Sequence, residues 1–370
     1  MKILFDNQIF SWQRFGGISN YFARVIAKLP KNTQVKLSFM YTDNVYLKDI
    51  GYKYSNMFST INFKGKNRIK GLCNNIFNIF AIMFDKYDIF HPTYYSNYFV
   101  RIFPRNKLLV VTVYDMIHEL FPEYFNEKSL EYKTKKLLCT RADKIIAISS
   151  QTKHDLIQLF SIPENKIEVI YLGTNFTLLH EFTFSIEWLP EKYLLFVGTR
   201  SGYKNFNWML QALVSILKSS DYKLVVIGSP FTPEESDLIK QLGINDSIII
   251  NNVHETLHLQ EVYNRAKLFI FPSLYEGFGI PILEAFASKV PVLLTNASCF
   301  PEIAKDAALY FEPEDQVDFQ NKVNLALNSY EIRQHLIQNG ISRLNEFSWE
   351  KTAKETNDLY TGLLNSRKES

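Results

Sequence analysis

The sequence predicts an α/β chain of two Rossmann-like, doubly wound parallel-sheet domains, and three observations carry that expectation. Short apolar runs alternate with helical stretches through the first 172 residues, and the alternation restarts from about residue 191. Between the two, from Leu172-Gly173-Thr174-Asn175 to Pro190, the periodicity lapses. A length of 370 residues suits two domains.

Composition narrows the function classes. Hydrophobic residues make up 46% and charged residues 21%, ordinary globular proportions that exclude a disordered scaffold. The 41 basic and 38 acidic residues leave +3, too small an imbalance to argue for nucleic acid. Cys73, Cys139 and Cys299 are widely spaced and make neither a metal cluster nor a disulfide framework, so a reducing compartment is the simple expectation. The opening Met-Lys-Ile-Leu-Phe-Asp enters a strand at once and lacks the apolar core of a secretion signal, which points to the cytoplasm. The longest apolar stretch, residues 76–84, falls short of the roughly 20 residues a membrane span requires. Lys64, Lys66, Arg68 and Lys70 precede it. Two readings stand there: a helix lying on an anionic leaflet at the inner face of the membrane, or a basic loop leading into a core helix.

In the first half, strands are expected at residues 2–5, 35–40, 89–91, 108–113, 144–148 and 167–170. Ligands of such sheets bind at the carboxyl ends of strands, so the loops that follow are the places to look. After the first strand, Gly16 and Gly17 precede a helix expected at 21–29, a phosphate-facing turn or simply a loop. The strand at 108–113 runs into Asp115 and His118. Asp115 also reads as a turn cap and His118 as a surface residue, and their place at a strand exit tips both toward function. His91 ends another strand and is a second candidate for lining a ligand cleft.

In the second half, the run 193–197 leads into Gly198-Thr199-Arg200-Ser201-Gly202-Tyr203-Lys204, then a helix at about 205–217. Arg200 and Lys204 make either a solvated pair or, in a glycine-flanked loop, a phosphate grip. Strands follow at 223–227 and 247–250, with a capping box, Thr232-Pro233-Glu234-Glu235, opening a helix to about 242. Residues 268–271 form a fully apolar run ended by Pro272–Ser273. Gly277 and Gly279 then permit close ligand approach, and Pro281 suits the first turn of a helix to about 289, whose N-terminus favours an anion. Glu276 and Glu284 bracket this turn; singly, each also reads as a turn or first-turn acid. A strand ending near 295, a helix near 301–303, a strand at 307–311 and a last helix capped by Ser348 complete the chain.

The segment Glu276-Gly277-Phe278-Gly279, with Pro281 and Glu284, resembles the donor-binding signature of glycosyltransferase family 4, the group 1 glycosyltransferases. These are retaining enzymes of the GT-B fold, two Rossmann-like domains facing across a cleft. The resemblance implies an acceptor-binding domain over 1–172, a linker over 173–190, a nucleotide-sugar-binding domain over 191–347 and a helix over 348–370 that crosses back to the first domain. It implies that Glu276 contacts the transferred sugar and Glu284 the ribose, with Gly277, Phe278 and Gly279 forming the donor turn. Arg200 and Lys204 would grip the diphosphate, and Gly16 and Gly17 would lie near the donor's phosphates. Relatives carry His where this chain has Tyr114, so the residue beside the sugar is assigned to His118, with Asp115. The usual glycine near the base is replaced by Asn252.

No Asp-x-Asp motif occurs, so the implied donor site is metal-independent, with no cofactor beyond the nucleotide-sugar substrate. GDP-mannose is favoured over other GDP-, UDP- or dTDP-sugars. The implied acceptor is a growing lipid-linked surface oligosaccharide. A sugar-nucleotide epimerase, a phosphorylase and a nonenzymatic sugar-nucleotide sensor share the fold and stay open as alternatives.

Overall fold

The computed structural model describes residues 1–52, 66–125, 131–178, 186–253 and 255–369. Lys64 of the basic run lies outside them, as do residues 179–185 of the expected linker. The chain divides into two compact units, Met1–Leu172 with Trp349–Ser370, and Gly173–Ser348.

The first unit holds six parallel strands: β1 (Lys2–Phe5), β2 (Gln34–Leu37), β3 (Ile89–His91), β4 (Leu108–Val113), β5 (Lys144–Ala147) and β6 (Ile167–Val169). Their order is β2-β1-β3-β4-β5-β6. All six residues of β4 are buried, as expected of a continuous apolar run covered by helices on both faces. The second strand stops three residues before the expected position 40. A side chain replaces the ladder there, because Asn74 Oδ1 accepts from the backbone N–H groups of Met40 (2.9 Å) and Tyr41 (3.0 Å). The helix Trp349–Glu369 belongs to this unit. Its Trp349 ring lies 6.4 Å from that of Tyr21, and Thr352 Oγ1 donates to the Tyr171 carbonyl at 2.7 Å.

The second unit repeats the architecture with β7 (Tyr193–Val197), β8 (Lys223–Ile227), β9 (Ile248–Asn251), β10 (Leu268–Phe271), β11 (Val292–Thr295) and β12 (Leu309–Phe311). Their order is β12-β11-β10-β7-β8-β9, all parallel. Leu194, Phe196, Leu210, Leu224 and Val226 lie at the centre of its core. The capping box forms as the sequence implies: Thr232 Oγ1 accepts from the Glu235 N–H, and the Glu235 carboxylate accepts from the Thr232 N–H. The helix after the glycine turn spans Ile280–Ala287 and ends two residues before the expected 289. Lys289 takes a left-handed φ of +57° there, and Val290 N–H closes onto the Ala285 carbonyl.

Each sheet has one place where its strand order reverses. In the first unit the chain leaves β1 for β2 on one side and returns to β3 on the other; in the second, β10 returns to the opposite side of β7 from β8. Reversals of this kind leave a crevice at the strands' carboxyl ends.

Candidate functional site

The reversal in the second unit brings the loops after β7 and β10 together, and the Leu274 N–H donates to the Tyr203 carbonyl at 2.8 Å to fix them. Lys204 closes a short 3-10 turn ahead of the helix Phe206–Ser219, with Asn205 left-handed at the helix cap. This geometry carries the Lys204 ammonium to Glu276 Oε1 at 2.5 Å, with side chains only 14% and 12% exposed. Two sequence-predicted residues, 72 positions apart, thus form one ion pair. Lys204 also lies 5.6 Å from the centre of the Phe271 ring.

Glu276 is held from behind. Ser298 Oγ donates to its carbonyl at 2.8 Å and accepts from its N–H at 3.2 Å, and Cys299 Sγ donates to the same carbonyl at 3.2 Å. Sequence reasoning missed both residues. Gly279 has φ +89°, a left-handed conformation that calls for glycine, and a Cβ there would also press on the flexible end of Ile282 at 2.9 Å. Glu284, one turn into the helix, accepts from the Tyr263 hydroxyl at 3.1 Å, and burial pushes its carboxyl up to about 7. Phe278, expected among the donor-binding residues, is buried with its ring edge-to-face against Phe347 at 5.8 Å. Its side chain is core, which leaves only its backbone for a ligand.

Arg200 is placed differently from Lys204. Its Nε and Nη2 form a fork on Glu235 at 2.8 and 2.9 Å, and Nη2 donates again to the Pro230 carbonyl at 2.9 Å. The guanidinium lies over Phe231 and Phe206. The loop Gly198–Lys204 is thereby tied to the N-terminus of the helix Pro233–Leu242. Gly228 makes room for the arrangement: a Cβ there would stand 2.7 Å from the Gly198 carbonyl oxygen and 3.1 Å from Arg200 Nη1.

In the first unit, Gly17 opens the helix Gly17–Lys28, earlier than the expected 21. Gly16 passes directly over the Gln13 side chain, whose Oε1 accepts from the Ser19 N–H at 3.2 Å. After β4, Asp115 Oδ1 accepts from the Ile117 N–H at 3.1 Å, so it is a turn cap, and its carbonyl accepts from Lys135 Nζ at 3.1 Å. His118 Nε2 lies 3.4 Å from Glu131 Oε2, its ring 4.0 Å from that of Phe125. Among the described residues its Nδ1 is buried with no hydrogen-bond partner. Lys135 is fully buried and bonds Glu119 at 2.9 Å, while Tyr94 donates to Glu131 at 2.5 Å. Glu119, Glu131 and Lys135 escaped the sequence reading. The only signal was the spacing of Glu131 and Lys135 on one helix face.

One histidine expectation is corrected. His91 does not line a ligand cleft: it is buried, with Nδ1 2.6 Å from the Tyr360 hydroxyl and Nε2 2.9 Å from Thr112 Oγ1. Burial lowers its pKa to about 3, so it stays neutral and joins the last helix to the sheet. At the position where relatives carry histidine, Tyr114 is also core, donating to the Thr93 carbonyl at 3.3 Å.

Comparison with known proteins identifies the family and the fold. Residues 15–178 match the family described as Glycosyltransferase Family 4, and residues 181–343 the family described as Glycosyl transferases group 1. An uncharacterized glycosyltransferase of Methanocaldococcus jannaschii is 26% identical over 297 residues, 75% of this chain and 75% of its own. O-antigen chain mannosyltransferase B of Escherichia coli is 27% identical over 272 residues, 69% of this chain and 71% of its own. Sucrose-phosphate synthase from Thermosynechococcus elongatus matches in structure with a TM-score of 0.74 over 99% of both chains, and at 18% identity that likeness speaks for the fold alone.

Proposed function

The chain belongs to the group 1 glycosyltransferases of family 4, enzymes that transfer sugar, and from that premise we propose that it moves a hexose, mannose before others, from a nucleoside diphosphate sugar to a hydroxyl of a growing lipid-linked polysaccharide. The observation that carries the reading is the Lys204–Glu276 pair at the strand-order reversal. A cation paired with a carboxylate in the absence of donor can exchange that partner for a diphosphate. Lys204 then meets the leaving charge, and Glu276 is released to face the sugar. The N-terminus of the helix Ile280–Ala287 adds its partial positive charge. Glu284 accepts the ribose hydroxyls, and the reaction needs no cofactor besides its donor.

In this reading the acceptor oxygen bonds to the anomeric carbon from the side the nucleotide leaves. The bond from that carbon to the diphosphate oxygen breaks, the departing phosphate takes the acceptor's proton, and configuration is retained. Asp115 and His118, steadied by Lys135 and Glu131, serve the acceptor side in the first unit. The mannosyl choice rests on the Escherichia coli relative, and in this reading the reaction takes place at the cytoplasmic face, where a lipid-linked acceptor and a soluble donor meet. Incubation with GDP-, UDP- and dTDP-sugars, with and without a lipid-linked acceptor, tests the reading. GDP release that requires acceptor supports it, whereas release without acceptor favours the epimerase chemistry. Binding without turnover of any donor would leave only a sugar-nucleotide sensor.

A further inference from the structure

The helix Lys66–Phe84 is built inside out. Its inward stripe begins with polar residues: Lys70, Asn74 and Asn78 are buried, followed by Ala81 and Ile82. Each of the polar three is satisfied. Lys70 Nζ pairs with Asp43 at 3.4 Å; Asn74 bonds the Met40 and Tyr41 backbone and Ser11 Oγ; Asn78, with its amide nitrogen toward Ser38, donates to Ser38 Oγ at 2.7 Å. The outward stripe is apolar. Ile69, Leu72, Ile76, Phe77, Phe80, Met83 and Phe84 are all exposed, with Leu72 at 61%, Phe80 at 58% and Phe84 at 70%. Their spacing of three and four keeps them on one face. Scattered exposed apolar residues need no explanation, but a continuous stripe does.

Charge decides what covers it. No acidic residue occurs from Lys66 to Phe84, the first turn carries the exposed Arg68, and Asp85 beyond the end is neutralised by Lys36 at 2.5 Å. An apolar face with a cation at one end complements an anionic lipid leaflet: the rings enter the acyl boundary and Arg68 meets headgroup phosphates. Among the described residues no helix is long and apolar enough to cross a membrane. At about 1.5 Å per residue the helix is ~28 Å long, and its polar inner face is committed to the protein, so it lies along the surface instead of spanning it.

We infer that the outward face of the helix Lys66–Phe84 is a docking surface for an anionic bilayer, with Leu72, Ile76, Phe80 and Phe84 inserted and Arg68 at the headgroups. This goes beyond the transferase reading and does not depend on which sugar is moved.

Co-sedimentation of the full chain with phosphatidylcholine vesicles, with and without phosphatidylglycerol, tests it. The wild type should bind the anionic vesicles, release at high salt and bind neutral ones weakly. Leu72→Ser with Phe80→Ser should weaken binding about tenfold or more, and Arg68→Gln about fivefold. Val317→Ser with Tyr330→Ser, which removes equally exposed apolar groups from the second unit, should change nothing. Nucleotide affinity retained by every variant shows that each is folded. Equal sedimentation with both vesicle types at low salt overturns the inference. So does an equal loss in the Val317/Tyr330 variant, or a wild type that forms dimers through this face and ignores lipid. A protein that ignores vesicles yet releases nucleotide in the presence of acceptor overturns docking alone; one that docks but never releases nucleotide overturns only the transferase reading.

Discussion

The two strand-order reversals share a topology and differ in what fills them. Between β1 and β3 the crevice is closed by the chain's own polar groups. Asp6 is fully buried and accepts from Thr93 N–H (2.8 Å), Thr93 Oγ1 (2.6 Å) and Tyr98 hydroxyl (3.1 Å), and Gln8 Oε1 accepts from the Ser96 N–H at 2.8 Å. Burial raises the Asp6 pKa even against those donors. Between β7 and β10 the crevice holds the ion pair of Lys204 with Glu276 and two buried polar atoms, Asn205 Nδ2 and Ser273 Oγ, that have no partner among the described residues. Topology alone therefore does not mark a binding site. A charge whose partner a ligand can replace marks it, whereas a network already satisfied gains nothing from a ligand.

The comparison breaks most visibly at Glu276. The transferred sugar gains positive charge as its bond breaks, so a carboxylate facing it matters more in the transition state than in the ground state. Glu276→Gln should lower kcat by roughly 10²-fold or more and leave affinity for the product nucleotide nearly intact. Steady-state rates and nucleotide titration on one preparation check this. Equal loss of nucleotide binding would return Glu276 to a purely structural role.

Next in size is Lys204→Ala. Losing a charge-assisted bond to the diphosphate contributes about 1.5–3 kcal/mol, so donor KM and product nucleotide Kd should both rise roughly ten- to a hundredfold. The matching change in the closed crevice is Thr93→Ala, which removes the hydroxyl that donates to Asp6 and accepts from the Ile9 N–H. It should cost about 1–3 kcal/mol of stability and leave nucleotide affinity unchanged. Thermal unfolding and calorimetric titration of both variants sharpen the contrast. A Thr93 variant that loses nucleotide would show that the first crevice also serves the donor.

How much of this was legible in the sequence differs between backbone and partners. The strands could be read because parallel strands buried on both faces are continuous apolar runs, and β2 fell short only where Asn74, more than thirty positions away, took over the backbone bonds. Lys204, Glu276 and Glu284 could be read because glycine turns at strand ends mark them. Their partners could not. Glu235 sits 35 positions beyond Arg200 and Tyr263 sits 21 before Glu284, and no local pattern joins residues that only the sheet brings together. Periodicity shows that the helix Lys66–Phe84 has two faces but not which one turns inward, and its polar stripe turned inward only because Met40, Tyr41 and Ser38 needed partners.

Glu284 gives the pH test. Its pKa, raised to about 7 by burial, leaves it neutral below that value in the free protein, while two ribose hydroxyls are best accepted by the ionised form. Nucleotide affinity should therefore rise with pH and level off above 7. Between pH 8 and pH 6 it should fall about tenfold, the change in the ionised fraction across that window. Glu284→Gln should be weak at every pH and flat over the range. A wild-type profile that is equally flat would detach Glu284 from the ribose.

The smallest effect separates Arg200 from Lys204 within the same loop. With Nε and Nη2 committed to Glu235 and Pro230, Nη1 alone carries no hydrogen bond to the described residues, so a diphosphate reached by Arg200 is reached through Nη1. Glu235 then acts as a positioning residue, holding the guanidinium by its fork and the helix Pro233–Leu242 by its capping box. Glu235→Gln keeps an acceptor for the Thr232 N–H but removes the charge from the fork. It should raise donor KM about fivefold, the equivalent of ~1 kcal/mol, with kcat unchanged and the melting temperature slightly lowered. Arg200→Lys, which loses the planar fork but keeps the charge, should raise KM at least as much. A Glu235→Gln protein that melts lower but binds donor as well as the wild type would make the Arg200–Glu235 pair a structural tie alone, leaving Lys204 as the cation of this loop that meets the donor.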